Sequence, residues 1–313
     1  MTQRPSGRPT PASVTVSALD AGYLTLPSKF FVSPLSPSEE TSQCTAPSLS
    51  FLSQHFNPCD NKTTRILFDL GIRRSLDDYT ETIRKHATTR QPISGVPDTV
   101  SSLTNGRLEP KNLDLVVFSH WHWGHIGAPG DYPDSIFLIG PGAVKLISGD
   151  SDMRNGSQRH FEKGLLDTSR TIELRDPAAS DLDSLDPRTQ DHARSLFSTS
   201  WTPLGPFPAT LDFFGDRGPY IDDASYIYLA GDACHDPRLL SGEKEIATWS
   251  DPNFQGVTCC IHSDKGAAER TLKWIWDAKE GRTVLGDVEV IYADDEIWAG
   301  RAKEEGVIWP GSL

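Results

Sequence analysis

Apolar and polar residues alternate through SVTVSALDAGYLTL (13–26), which predicts a strand with one buried face. Several shorter apolar runs follow, each ending in polar residues. TRILFDLGI (64–72), LDLVVFSH (113–120), SIFLIG (135–140), SYIYLAGD (225–232) and VEVIYAD (288–294) read as buried strands, and TLDFFGD (210–216) as a further one. The helical period appears over 75–87 (SLDDYTETIRKHA), predicted to be an exposed helix, and over 142–148. It is clearest over 264–279, where Ala268, Leu272, Ile275 and Trp276 share one face and Ser263 is the expected N-cap. A last helix is predicted near 297–305. Strands alternating with helices, and strands that end in polar residues, describe an α/β fold with its site at strand ends.

The polar stretches complete this division. Residues 33–62 are rich in Ser, Pro and Asn and read as a long loop. Residues 149–209 read as a polar insertion with little core of its own. The opening MTQRPSGRPTPAS has no apolar segment of the signal-peptide kind, so residues 1–13 are expected to be a disordered tail on a single domain over 14–313. A length of 313 residues is ample for a core. A formal net charge of -13 argues against a nucleic-acid partner, which would favour clustered Lys and Arg. No apolar run approaches the roughly 20 residues of a membrane helix. The five cysteines are odd in number and include no CxxC, consistent with reduced thiols in a cytoplasmic protein.

The chemistry is concentrated in LDLVVFSHWHWGHIGAP (113–129). His120, His122 and His125 account for three of the nine histidines and directly follow a buried strand. Two imidazoles two residues apart on an extended or turning segment can point to one side, and a third within the next turn can join them. Neutral imidazole is a common zinc ligand, so the spacing predicts a metal site. Zinc is the expected ion, with manganese or iron as alternatives. His235 reads as a residue beside the site or as polar surface, and His262 as a packing or capping residue. Trp121 and Trp123 read either as walls of an apolar pocket or as core.

SHWHWGHIG resembles the HxHxDH signature of the metallo-β-lactamase superfamily. ILFDLG resembles its strand ending in Asp-x-Gly, YLAGDACHD its Gly-Asp segment, and VEVIYADDEIW its closing strand. Trp121, Trp123, LDFFGD and WPGSL look like a fungal branch of lactonase- and lactamase-like members. The resemblance implies a four-layer αββα sandwich of two mixed sheets with helices outside. It implies that His120 and His122 hold a first metal and His125 a second. Asp232 would bridge them and take part in catalysis, and Asp69 would orient a ligand histidine through a hydrogen bond. The implied reaction is attack of metal-bound hydroxide on a small cyclic ester or amide, a lactone or lactam of secondary metabolism or a xenobiotic.

Three positions depart from that pattern. Gly124 stands where the superfamily has the aspartate of HxHxDH, and Asp294 where it has a closing histidine. The Pro-Gly-His-type loop that carries a further histidine has no counterpart. The chain runs straight through Ala224 and Ser225, as if part of a strand near residue 224 were missing. What remains, His120, His122, His125 and Asp232 with Asp294 as a fifth candidate, points to one tightly held zinc rather than an intact pair. The alternative reading is therefore a catalytically impaired or non-hydrolytic member: a binding protein, cyclase or isomerase.

Overall fold

The computed structural model describes residues 13–148, 160–178, 201–211, 213–214, 226–250 and 258–313. Its main sheet has six strands, in the spatial order Ser13–Pro27, Gln43–Asn57, Lys62–Phe68, Leu115–Val117, Ile136–Ile139 and Thr171–Glu173. The first three pair antiparallel and the last four parallel, so the sheet is mixed. Tyr226–Leu229 and Val288–Ile291 form a separate parallel pair.

The layers follow from side-chain alternation, because neighbouring residues on a strand face opposite ways. Leu19, Leu52, Leu67, Val116 and Phe137 pack on one face of the main sheet with Ile83 of helix Glu81–Ala87 and Leu103 of helix Thr99–Asn105. Ala18, Leu49 and Phe51 face the other way, towards Ile227, Leu229 and Ile291 of the parallel pair. The opposite face of that pair, with Tyr226, Tyr228, Val288 and Val290, packs on Leu272 and Ile275 of helix Lys265–Lys279. The order is helix, sheet, sheet, helix: the four-layer αββα arrangement. Each large apolar side chain buried this way contributes about 1.5–3 kcal/mol.

Several local readings change. Residues 43–57 form a 15-residue strand rather than part of a long loop. Pro47 breaks the sequence pattern, but it lies beside a bulge where the register shifts between Asp20 and Tyr23, a place that tolerates proline. Helix Lys265–Lys279 is capped by Asp264, whose carboxylate accepts from the Ala267 amide at 2.9 Å, not by Ser263. Within the stretch read as an insertion, Thr171–Glu173 is the edge strand of the main sheet. Phe161 and Leu166 are buried in the main core. The initial tail through residue 12 and the junction at Ala224–Ser225 lie outside the described residues. Among the described residues, no helix is long and apolar enough to cross a membrane.

Candidate metal centre

Strand Lys62–Phe68 ends at Asp69, which has a left-handed backbone (φ 62) and is fully buried. A non-glycine residue in this conformation is held there by its surroundings. Its amide donates to the Val117 carbonyl at 2.9 Å, fastening it to the neighbouring strand end. Its carboxylate collects three donors: the Ser119 amide at 2.8 Å, the Ser119 hydroxyl at 2.6 Å and His125 Nδ1 at 3.0 Å. The proton balance fixes two tautomers. Because Ser119 Oγ donates to Asp69, its contact with His120 Nδ1 at 3.0 Å has the imidazole as donor. His120 and His125 therefore both carry a proton on Nδ1 and turn Nε2 towards the cavity.

The segment bearing the three histidines is fastened by its carbonyls. Tyr79 donates its hydroxyl to Trp123 O at 2.7 Å, Ser48 donates to Gly124 O at 2.7 Å, and Arg73 Nε donates to Gly127 O at 2.8 Å. The Leu70 amide donates to His125 O at 2.7 Å. Gly127 has φ +50, and a Cβ there would lie 2.6 Å from the Leu70 carbonyl oxygen, so this close turn requires glycine. Trp121 and Trp123 are buried. Trp121 packs on Phe118 and Phe161 and Trp123 on Tyr79, so both serve the core.

Asp232 reaches the same cavity from the opposite sheet. It follows strand Tyr226–Leu229 in a turn that Gly231 opens with φ +53. Its Oδ1 is 3.0 Å from His125 Nε2 and its Oδ2 is 3.3 Å from His120 Nε2. One ligand atom from each of His120, His122, His125 and Asp232 lies within 4.8 Å of every other. His122 Nδ1 is buried and has no hydrogen-bond partner. A lone pair left unsatisfied at the meeting point of three other donors fits a cation. Three nitrogens and a carboxylate suit zinc.

Asp294 follows strand Val288–Ile291. It groups with Asp232 and His235, again with ligand atoms within 4.8 Å, rather than with His120 and His122. His235 is buried, with Nδ1 3.1 Å from Asp294 Oδ2 and its ring edge-on to Phe31. His262 stacks at 5.9 Å from His235, and its Nε2 is buried without a partner.

The electrostatics are mutual. Burial lowers His125, but the carboxylates of Asp232 and Asp69 outweigh it and hold the imidazolium well above its ordinary value. Burial would raise Asp232, but His125, His235 and His120 hold it well below the usual carboxylate range. Burial and the neighbouring charge of Asp232 raise Asp294. Burial keeps His122 neutral, and pushes His262 down to about 4. Ser119 and the Asp294–His235 contact escaped sequence reading. Ser119 stands next to His120 and offered a signal, whereas the His235 pairing spans 59 residues and offered none.

The chain has the metallo-β-lactamase fold. It covers 96% of its own length and 98% of the B. thuringiensis AiiA structure with N-decanoyl-L-homoserine bound at the active site, at 14% identity and a TM-score of 0.54. Coverage, TM-score and identity are the same for an N-acyl homoserine lactone hydrolase with the product N-hexanoyl-L-homoserine at its catalytic metal centre. Among curated proteins the chain is similar to "Cytochrome P450 monooxygenase mpaDE" of Penicillium brevicompactum, 26% identical over 347 residues, covering 94% of this chain and 35% of that protein. It thus spans about a third of that relative's length. It is also similar to "Gamma-lactamase FDB1" of Fusarium pseudograminearum (strain CS3096), 31% identical over 42% of this chain and 32% of that one. "Metallo-hydrolase mfmC" of Annulohypoxylon moriforme is 26% identical over 78% of this chain and 63% of that one. No protein-family model matches the chain.

Proposed function

We propose that the protein is a zinc-dependent hydrolase that opens a small cyclic ester or amide, with His120, His122, His125 and Asp232 as its metal ligands. The observation that carries this reading is the convergence of those four side chains within 4.8 Å around an unpartnered His122 Nδ1. A gamma-lactamase among the relatives supports the substrate class, as do structural neighbours named for homoserine lactone hydrolysis, and a metallo-hydrolase supports the reaction type. His120, His122, His125 and Asp232 would hold a divalent ion, which would supply a bound water of pKa about 7 and polarisation of the substrate carbonyl.

The protein's own contribution is arrangement. Asp69 and Ser119 hold His120 and His125 in the tautomer that presents Nε2, and burial keeps His122 neutral as a ligand must be. Asp232, with its carboxyl held in the anionic form, supplies negative charge and a proton-accepting oxygen beside the reacting atoms. The test is a panel of γ-lactones and γ-lactams offered to zinc-loaded protein, before and after chelation. Ring opening that chelation abolishes and zinc restores is the expected result. Tight zinc binding with no opening of any cyclic ester or amide would refute the hydrolase reading.

A further inference from the structure

We infer that His262 determines specificity: its Nε2 makes a hydrogen bond with a hydroxyl that the cyclic ester or amide carries on the carbon next to its carbonyl. The inference rests on the hydrolase reading of the metal pocket and adds the class of substrate that the pocket selects.

It begins with a nitrogen that the fold leaves unsatisfied. His262 Nε2 is buried and has no hydrogen-bond partner among the described residues. Burying a polar atom without a partner costs stability, so such an atom in a native fold calls for a cause. Packing does not supply one, because an apolar side chain would pack there without that cost. Helix capping does not supply one either, since Asp264 caps helix Lys265–Lys279. Nor does metal binding. Among the described residues, neither group of side chains whose ligand atoms converge within 4.8 Å includes His262.

The position of the ring does supply a cause. His262 stacks on His235, with centroids 5.9 Å apart and an interplanar angle of 17°. It is close enough to Asp232 and His120 for their charges to act on it. The nitrogen is thus next to the metal pocket without belonging to it, where a substituent beside the carbonyl of a bound ring would lie. A hydroxyl suits it in either tautomer, because a hydroxyl donates to a lone pair and accepts from an N–H.

His262 is also anchored from both sides. Strand Thr258–Cys260 before it pairs with Thr248–Ser250, and Trp249 packs edge-on against Phe30 at 5.2 Å. Helix Lys265–Lys279 after it packs on the parallel pair through Leu272 and Ile275. A group held in this way can discriminate. A site built to hydrogen-bond a substrate hydroxyl rejects the analogue that lacks it, because the buried nitrogen is then left unpaired.

The experiment compares α-hydroxy-γ-butyrolactone with γ-butyrolactone on the full, zinc-loaded chain, each rate corrected for the lactone's own reactivity with hydroxide. The corrected kcat/KM should favour the hydroxylated ring by about tenfold or more. In His262→Leu that ratio should fall to about one, with zinc affinity equal to that of the wild type. His262→Gln keeps a hydrogen-bonding side chain and should restore most of the ratio. Calorimetry gives a readout without turnover. The zinc-loaded wild type should bind the ring-opened α,γ-dihydroxy acid about tenfold more tightly than the γ-hydroxy acid, and His262→Leu should bind the two alike. A ratio near one in the wild type, no binding of either acid, or a preference that survives in His262→Leu overturns the inference. Loss of zinc from His262→Leu overturns it too, because His262 would then be a support of the metal pocket. If neither lactone is opened but the binding preference is present and depends on His262, the hydrolase reading fails and His262 stands as the group that selects a hydroxylated ligand.

Discussion

The two sides of the candidate metal centre are built to different standards of rigidity. The histidine segment leaves the parallel half of a six-stranded sheet, and the carbonyls of Trp123, Gly124, His125 and Gly127 each accept a hydrogen bond from elsewhere in the chain. Two of its imidazoles are oriented by Asp69, one directly and one through Ser119. The opposite side rises from a two-stranded parallel pair among the described residues, and its groups are oriented mainly by one another, as His235 is by Asp294. Ligands set by a scaffold keep their geometry when the ion leaves. Ligands set by mutual contacts keep it less well, and their positions can be refilled by different residue types. Asp294 departs on the side that lies against Asp232 and His235, whereas Gly124 departs within the fastened segment, beside His122, and all three histidines of that segment remain.

Removing a ligand from the fastened side should have the largest effect. His122→Ala takes away a buried imidazole nitrogen of the four-residue cluster that has no hydrogen-bond partner, and zinc affinity should fall at least about a hundredfold, measured by competition with a chromogenic chelator. A smaller loss would mean that this side is not the principal site.

Asp69→Asn should come next. The amide keeps the shape and tolerates the left-handed backbone, but it loses the charged acceptor shared by Ser119 and His125. Such supporting groups are worth about 10–100-fold in metal affinity. Ser119→Ala removes only the relay to His120, so its effect should fall below that of Asp69→Asn and towards the lower end of that range. Equal losses for the two variants would show that Asp69 acts through His120 alone.

The pH dependence is smaller in size and has a definite sign. His125 is held well above its ordinary value, so in the metal-free protein it carries a proton that zinc must displace. Zinc affinity should rise with pH until His125 has titrated. The stability that His125 gives the metal-free fold is present in full below its unfolded value of about 6.5 and is lost as pH rises through the raised folded value. The gain in Tm on adding zinc should therefore widen from about pH 6 to about pH 9. A gain that narrows would remove His125 from the ligand set.

How much of this was legible in the sequence depended on the range of the signal. The strand ends at Asp69, His120 and Asp232 were readable because each closes a short apolar run, whereas the layer order came from the superfamily resemblance and not from the runs themselves. Strand Gln43–Asn57 was hidden because its serines and Pro47 look like loop composition. Only the pairing with Ser13–Pro27 on one side and Lys62–Phe68 on the other makes it a strand. Helix Thr99–Asn105, capped by Asp98 and Ser101, is two turns long and leaves too short a period to detect. The His235–Asp294 contact is tertiary, set by where two parallel strands end, and a linear pattern carries no trace of it.

The most direct test of the central claim is zinc K-edge X-ray absorption on protein carrying one equivalent of zinc. The account predicts a first shell of nitrogen and oxygen at about 2.0–2.2 Å, with the outer-shell scattering of two or three imidazoles and no sulfur. A sulfur shell near 2.3 Å, or a first shell of oxygen alone without imidazole scattering, would contradict it.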